Sequence, residues 1–352
     1  MTALETLIRE AIAAEGPMRL DHYMALCLGH PQHGYYMTRD PLGAAGDFVT
    51  APEISQLFGE LVGVWCASAW QMLGAPGRVN LVELGPGRGT LMGDILKSGR
   101  VMPGFGEASQ VHLVETSPVL QAAQRRKLGE AVAWHESLAT IPEGPMVVVA
   151  NEFFDALPIR QLQKRQGQWC ERVVVLESEK LTIGLAPFAG VHNGEGADGD
   201  IIEFSSARAH VAQDIGARLA RHPGAALIID YGHLTSAPGD TLQALRRHTF
   251  AAITEDPGAC DLTAHVDFEA LGKALAAGGA VIHAAITQRA FLLAMGLEIR
   301  AENLAGKADT RQRIVMQRAV TRLAAPDQMG NLFKVLAATS PGLAQPYPFG
   351  RS

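Results

Sequence analysis

Cysteine is scarce in this chain, with four in 352 residues. Cys27, Cys66, Cys170 and Cys260 stand far apart and form no C-x-x-C pair. That spacing offers neither a zinc site nor a disulfide framework, and it suits a reducing compartment. Basic charge is also in deficit: 30 Lys and Arg against 36 Asp and Glu leave a net charge of -6. Such a chain lacks the broad positive field that sequence-independent nucleic-acid binding needs, so no nucleic-acid partner is expected. The local run Arg125, Arg126 and Lys127 reads as a solvated helix face. No apolar run is long enough for a membrane span. The longest, LFGELVGVWCASAWQML from Leu57, contains Glu60 and reads as a buried helix. Internal repeats and low-complexity tracts are missing too. The first residues, MTALETLIREAIAAEG, carry acids at Glu5 and Glu10 and match neither a signal-peptide core nor an acid-poor, Arg-rich presequence. They read as an amphipathic helix with Leu4, Leu7, Ile8 and Ile12 on one face, in a protein expected in the cytoplasm.

What is present is material for a large core, with 47% hydrophobic and 19% charged residues. Residues 1–73 read as a helical region with a lid. A short helix is expected through DHYMALCLGH. The Gly- and Pro-rich connection HPQHGYYMTRDPLGAAGDFVTAPEIS follows, long enough to act as a lid. Thr50 and Glu53 form a T-x-x-E capping box, with Pro52 inside the first turn, and open a helix expected to continue through the Leu57 stretch. From residue 74 to 352 the rhythm changes to strand, then helix. VNLVEL, QVHLVET, AVAWHES, PMVVVANEFF and AALIIDYG read as strands, while GTLMGDILKS and SPVLQAAQRRKLG read as helices, the second capped by Ser117. Strands apolar throughout, alternating with helices, predict an α/β fold with a mostly parallel sheet covered on both faces. Two insertions interrupt this core, near 160–205 and 233–262. In the first, QWCERVVVLE and LTIGLAPFAG read as antiparallel strands. The apolar C-terminal stretch offers a surface for an oligomer.

The segment LVELGPGRGT, from Leu81, ends a strand in an acid and then places glycines at Gly85, Gly87 and Gly89. A phosphate-binding P-loop needs a Lys after its last glycine, and none follows. The dinucleotide pattern G-x-G-x-x-G/A puts Thr90 at its third position, which does not match. The spacing G-x-G-x-G, with Glu83 two residues before it, is that of class I S-adenosylmethionine-dependent methyltransferases. A cofactor without phosphate needs close backbone approach rather than anion-binding geometry, and glycine permits that approach. Glu83 can face the cofactor's ammonium. Glu115, ending the second strand, can accept bonds from ribose hydroxyls, which fits any adenosine ligand.

Several blocks recur in order: GDFVTAPEISQLFGELVG from Gly46, LVELGPGRGTLMGDIL from Leu81, VHLVETS from Val111, ANEFFDALPI from Ala150, DYGH from Asp230 and DLTAHVDF from Asp261. Together they closely resemble the MidA-like family of class I methyltransferases, over about residues 5–338. That family includes the mitochondrial assembly factor for respiratory complex I. The resemblance implies a Rossmann-like methyltransferase domain with an N-terminal helical part and inserted segments. It implies S-adenosyl-L-methionine as cofactor and arginine of a partner protein, a complex I subunit or similar, as substrate. By matching motif, Glu83, Gly85, Gly87, Gly89 and Glu115 would bind the cofactor. The block from Gly46 to Ser55, with Asp47, Thr50, Pro52 and Glu53, would cover it. NEFFD would sit at the reacting methyl group. The adenine-binding acid of mitochondrial relatives has Ser137 in its place, preceded by Glu136.

An arginine substrate calls for carboxylates beside the sulfonium, because guanidinium is always charged and binds carboxylates as a fork. Glu152 and Asp155 are the candidates. A helical turn starting at Asn151 would put them three apart on one face, with Asn151 as cap the plainer alternative. Asp47 is a further candidate. His233, after the fifth strand, is a candidate to take the proton lost on transfer, with a merely packed or exposed histidine the plainer alternative. His112, inside the second strand, reads as structural. Phe153 and Phe154 divide between a substrate wall and core packing. Three alternatives stand beside this reading: a non-catalytic cofactor-binding assembly factor, a small-molecule methyltransferase, and an NAD-dependent enzyme.

Overall fold

The structure is a computed structural model that describes residues 2–40, 49–190, 192, 194–306 and 308–350. The chain packs into two compact units. One comprises Met1–Phe48, Asp155–Ala209 and Thr235–His265, and the other Val49–Phe154, His210–Leu234 and Val266–Ser352. Each has its own hydrophobic core. The segments expected as insertions thus belong with the N-terminal helices.

The second unit holds the sheet foreseen from the strand–helix alternation. Its main strands are β1 (Val79–Leu84), β2 (Ser109–Val114), β3 (Ala133–His135), β4 (Met146–Asn151), β5 (Gly224–His233), β6 (Val281–Thr287) and β7 (Phe333–Thr339). They run in the order β6-β7-β5-β4-β1-β2-β3, and the bridge Val266–Asp267 adds to the end of β5. Pairing from β5 to β3 is parallel throughout, and only β7 is reversed between its neighbours. This is a doubly wound class I methyltransferase sheet. Every residue of β1 and β4 is buried, as strands covered on both faces must be. Leu81, Val147, Leu227 and Val335 share one core with Phe58, Val62 and Trp65 of the Gln56–Met72 helix. At roughly 25 cal/mol per Å² of apolar surface, such side chains contribute about 2 kcal/mol each.

The T-x-x-E capping box did not form. Thr50 stands at the N-cap of a single turn, Ala51–Ile54, but its side chain makes no capping bond. The chain then breaks at Ser55, whose extended backbone and hydroxyl start a fresh helix over Gln56–Met72. Glu53 is drawn instead to Thr90 and Arg88. Ser117 caps as expected, accepting from the Leu120 amide at 3.2 Å.

In the first unit, the Ala3–Glu15 helix buries Leu4, Ile8 and Ile12, whereas Leu7 is exposed. The strands Gln168–Glu177 and Lys180–Pro187 pair antiparallel, as read from the sequence. Arg160–Arg165, Ile201–Phe204 and the two-residue strand Met18–Arg19 extend that sheet. The segment read as a second long connection contains a small antiparallel sheet of Gln243–Arg246, Thr249–Ala251 and Asp261–Thr263.

Candidate functional site

Parallel strands deliver their C-terminal ends to one edge, where open α/β sheets bind ligands. Glu83 lies opposite Leu113 on one neighbour and Val149 on the other. Side chains alternate along strands, so Glu115 and Asn151, two residues further on, fall on the same face as Glu83. Three polar residues on adjacent chain segments therefore line one side of one edge.

Glu83 is 2% exposed, and its Oε2 has no hydrogen-bond partner among the described residues. Burial pushes its carboxyl up to about 8, and the nearby Glu115 adds to that; the Met92 amide and Lys127 pull the other way. A buried acid with an open acceptor is costly unless something completes it. Beyond it the loop turns through positive φ at Gly85, Gly87 and Gly89. At Gly85 a side chain would be strained by φ +61° and would meet Phe153 Cδ2 at 2.8 Å. The loop opens into the Thr90–Gly99 helix.

Glu115 is held by two donors, the Ser117 amide at 2.8 Å and Gln124 Nε2 at 3.2 Å. Burial raises its carboxyl above the ordinary range, against those two bonds. A carboxylate has about four acceptor positions, so ribose hydroxyls still find room. Gln124, fully buried, also donates to the Gly87 carbonyl at 2.7 Å and accepts from Trp134 Nε1 at 2.8 Å. It fixes the glycine loop to the acid after β2. Sequence reasoning missed it, since a glutamine inside a helix carries no signal.

After β4 the expected helical turn from Asn151 is not formed. Glu152 instead takes φ +49°, a left-handed conformation rare outside glycine. Its amide continues the sheet by donating to Ile229 O at 2.9 Å. Asn151 caps no helix here, because Asp230 does the satisfying. Buried at the end of β5, Asp230 Oδ2 accepts from the Phe153 and Phe154 amides at 3.2 and 3.0 Å. Asp230 was missed as a positioning residue. Its signal was the one that marked Glu83, an acid closing an apolar strand. Glu152 Oε1 accepts from the Ala51 amide at 2.9 Å and from Asn151 Nδ2 at 3.1 Å. Asn151 Oδ1 is buried with no partner among the described residues. The Thr50–Glu53 turn thus joins two parts of the edge: Ala51 binds the loop after β4, and Glu53 binds Thr90 beside the glycine loop. Pro52 is buried within it.

The remaining residues fall elsewhere. Gly46 and Asp47 lie outside the described residues. Ser137 and Glu136 are exposed after β3, Ser137 at the cap of a 3-10 turn without a side-chain capping bond. His233, at the end of β5, stands 3.8 Å from Asp267 and is about a third exposed. Phe154 is fully buried, while Phe153 leans on Gly85. Asp155 belongs to the first unit. It is buried there, and its carbonyl accepts from the Ala264 amide and Arg208. His112 is structural, bonded to His135 at 2.9 Å and Asn80 at 3.1 Å. Burial lowers it to about 4.

The cradle suits S-adenosylmethionine: three left-handed glycines, an open buried carboxylate for an ammonium, and a second acid for ribose. Comparison with known proteins agrees. The profile of a family of S-adenosyl-L-methionine-dependent methyltransferases matches residues 61–286. The mitochondrial protein arginine methyltransferase NDUFAF7 of Danio rerio is 37% identical over 92% of this chain and 83% of its own. The human protein of that name is 35% identical over 93% of this chain and 81% of its own. A superfamily member from Burkholderia thailandensis, solved bound to S-adenosyl-homocysteine, superposes with a TM-score of 0.86 at 29% identity, covering 99% of this chain and 96% of that one. The relatives' mitochondrial names overturn the expectation of a cytoplasmic protein. Glu5, one of the acids on which that expectation leaned, serves the fold by pairing with Arg9 at 2.8 Å.

Proposed function

The chain belongs to the family of S-adenosyl-L-methionine-dependent methyltransferases, and on that premise we propose that it methylates a guanidinium nitrogen of an arginine in a partner protein. The partner is a subunit of respiratory complex I, the substrate class implied by the resemblance to the mitochondrial assembly factor. The observation that carries this reading is the left-handed Glu152, held half-buried at the sheet's ligand edge by Ala51 and Asn151. A strained residue kept in place by its surroundings fits a site that must present a carboxylate in one orientation. The relatives named as protein arginine methyltransferases support the choice of acceptor.

When bound, the cofactor supplies a methyl group on a sulfonium, which an in-line nucleophile can displace. The chain's own residues bind and orient. Glu83 pairs with the cofactor's ammonium, and Glu115 accepts from ribose hydroxyls. The glycine loop lets the backbone pass close without side chains. Glu152 accepts from the guanidinium, aims one nitrogen, and offsets its positive charge. Asn151, with its free carbonyl oxygen, accepts a second N–H. His233 takes the released proton toward solvent.

The test is incubation with methyl-labelled cofactor and purified complex I subunits, followed by mass spectrometry for methylarginine. Label on an arginine in the wild type is expected. Glu152→Gln should lower kcat by about a hundredfold with the cofactor KM within about twofold. Cofactor binding without label on any subunit would defeat the acceptor assignment. Label on a small molecule alone would favour a small-molecule enzyme.

A further inference from the structure

The helix Thr310–Ala324, near the end of the second unit, has an exposed face that makes no ion pair or side-chain hydrogen bond among the described residues. Ala319, Leu323 and Ala324 are buried and fix its inner side. Arg311, Ile314, Val315, Arg318 and Arg322 recur three or four residues apart and form one stripe of a 3.6-residue helix on the other side. Ile314 is 47% exposed and Val315 60%. β-branched residues are indifferent helix formers, so helix propensity does not explain them there. Arg313 and the three stripe arginines give this helix four positive charges and no acid, in a chain of net charge -6. None of the four guanidiniums forms an ion pair or side-chain hydrogen bond with any described residue. On the Phe268–Ala277 helix, by contrast, Lys273 pairs with Glu269 one turn away.

We propose that this stripe docks an acidic amphipathic helix of a partner protein, an interaction separate from methyl transfer. The charge complement is the first argument: unpaired cations on an acidic molecule attract acids and repel further copies of its own basic stripe. The cation type is the second. All four are arginine, whose planar fork binds carboxylates in pairs and which is enriched at protein interfaces, where lysine is depleted. The apolar content is the third. A helix that lies on a membrane presents bulky Trp, Phe or Leu on a free apolar side. Here the broad apolar side is spent inward, and only two mid-sized side chains sit between the arginines. Arg311 to Arg322 spans eleven residue steps, roughly 16 Å at about 1.5 Å per residue, or three turns. The partner segment is therefore a helix of about that length, with acids three or four apart flanking aliphatic residues.

Fluorescence anisotropy on the full chain tests this, with a labelled helical peptide carrying Glu and Leu along one face and a Lys-for-Glu counterpart as control. Saturable binding of the acidic peptide alone is expected, weakening with salt. The triple variant Arg311→Glu, Arg318→Glu, Arg322→Glu should bind at least about tenfold more weakly, and so should Ile314→Ser with Val315→Ser. Arg313→Glu lies off the stripe and should bind like the wild type. No saturable binding of the acidic peptide overturns the proposal, as does an Arg313→Glu variant as weak as the triple one. Two other outcomes also overturn it: binding to phosphatidylglycerol vesicles but not to the peptide, or a dimer by light scattering that the triple variant dissolves.

Discussion

At the scale of single residues, the chemistry concentrates in acids that close strands. Glu83 and Asp230 both end apolar runs, and both are buried to a few per cent or less. They do different work because their surroundings differ. Asp230 is satisfied by backbone amides, whereas Glu83 keeps an open oxygen and is pushed up to about 8. That shift gives a prediction with a defined sign. With its carboxyl near 8, Glu83 holds its proton at pH 7, and an ammonium paired with it would favour the ionised form. Cofactor affinity should therefore rise with pH from about 6 to 7.5, by up to tenfold per unit, with a proton released on binding. Calorimetric titration at several pH values, in buffers of different ionisation enthalpy, measures both. Glu83→Gln should flatten the dependence and weaken binding. The same raised pKa means that Glu83 costs the fold stability as pH climbs from about 4.5 toward 8, since the unfolded chain gives up that proton first. Glu83 was legible as a candidate because an acid after a β-branched run is unusual. Gln124 was not, because its importance comes from three partners on other segments that only the fold brings around it.

At the scale of elements, the loop after β4 shows where local rules lose to the sheet. NEFFD resembles the start of a helix. The chain instead stays extended long enough for the Glu152 amide to reach Ile229, then turns under the grip of Asp230. Asp230→Ala would leave the Phe153 and Phe154 amides without their acceptor. A cost of about 2–4 kcal/mol follows, measurable by urea unfolding. Because Glu152 rides on this turn, kcat should fall more than the cofactor KM rises in whatever folded protein remains. The Thr50–Glu53 segment carries the same lesson. Its capping signature is sound as a pattern, yet Glu53 finds Thr90 and Arg88 and leaves the cap to be made afresh at Ser55.

At the scale of the whole molecule, two cores exist where the sequence read a helical region followed by one domain with insertions. Each unit has a hydrophobic core of its own, so two melting transitions are expected. S-adenosyl-homocysteine at about a hundred times its Kd should stabilise the unit holding Glu83 by about 2.7 kcal/mol, moving its melting transition by on the order of 5 °C. Scanning calorimetry would find the other unit's transition unmoved. The sequence by itself determined the strand order of events, the class I sheet, the glycine loop and its family. Those depend on periodicity and on spacings within about ten residues, which are local. Only the tertiary structure decided that Asp230 rather than a helix cap holds the NEFFD turn, that Glu152 is left-handed, and that the arginine stripe of Thr310–Ala324 faces solvent. Those outcomes depend on which distant groups meet, and a one-dimensional pattern does not encode the competition among partners that settles them.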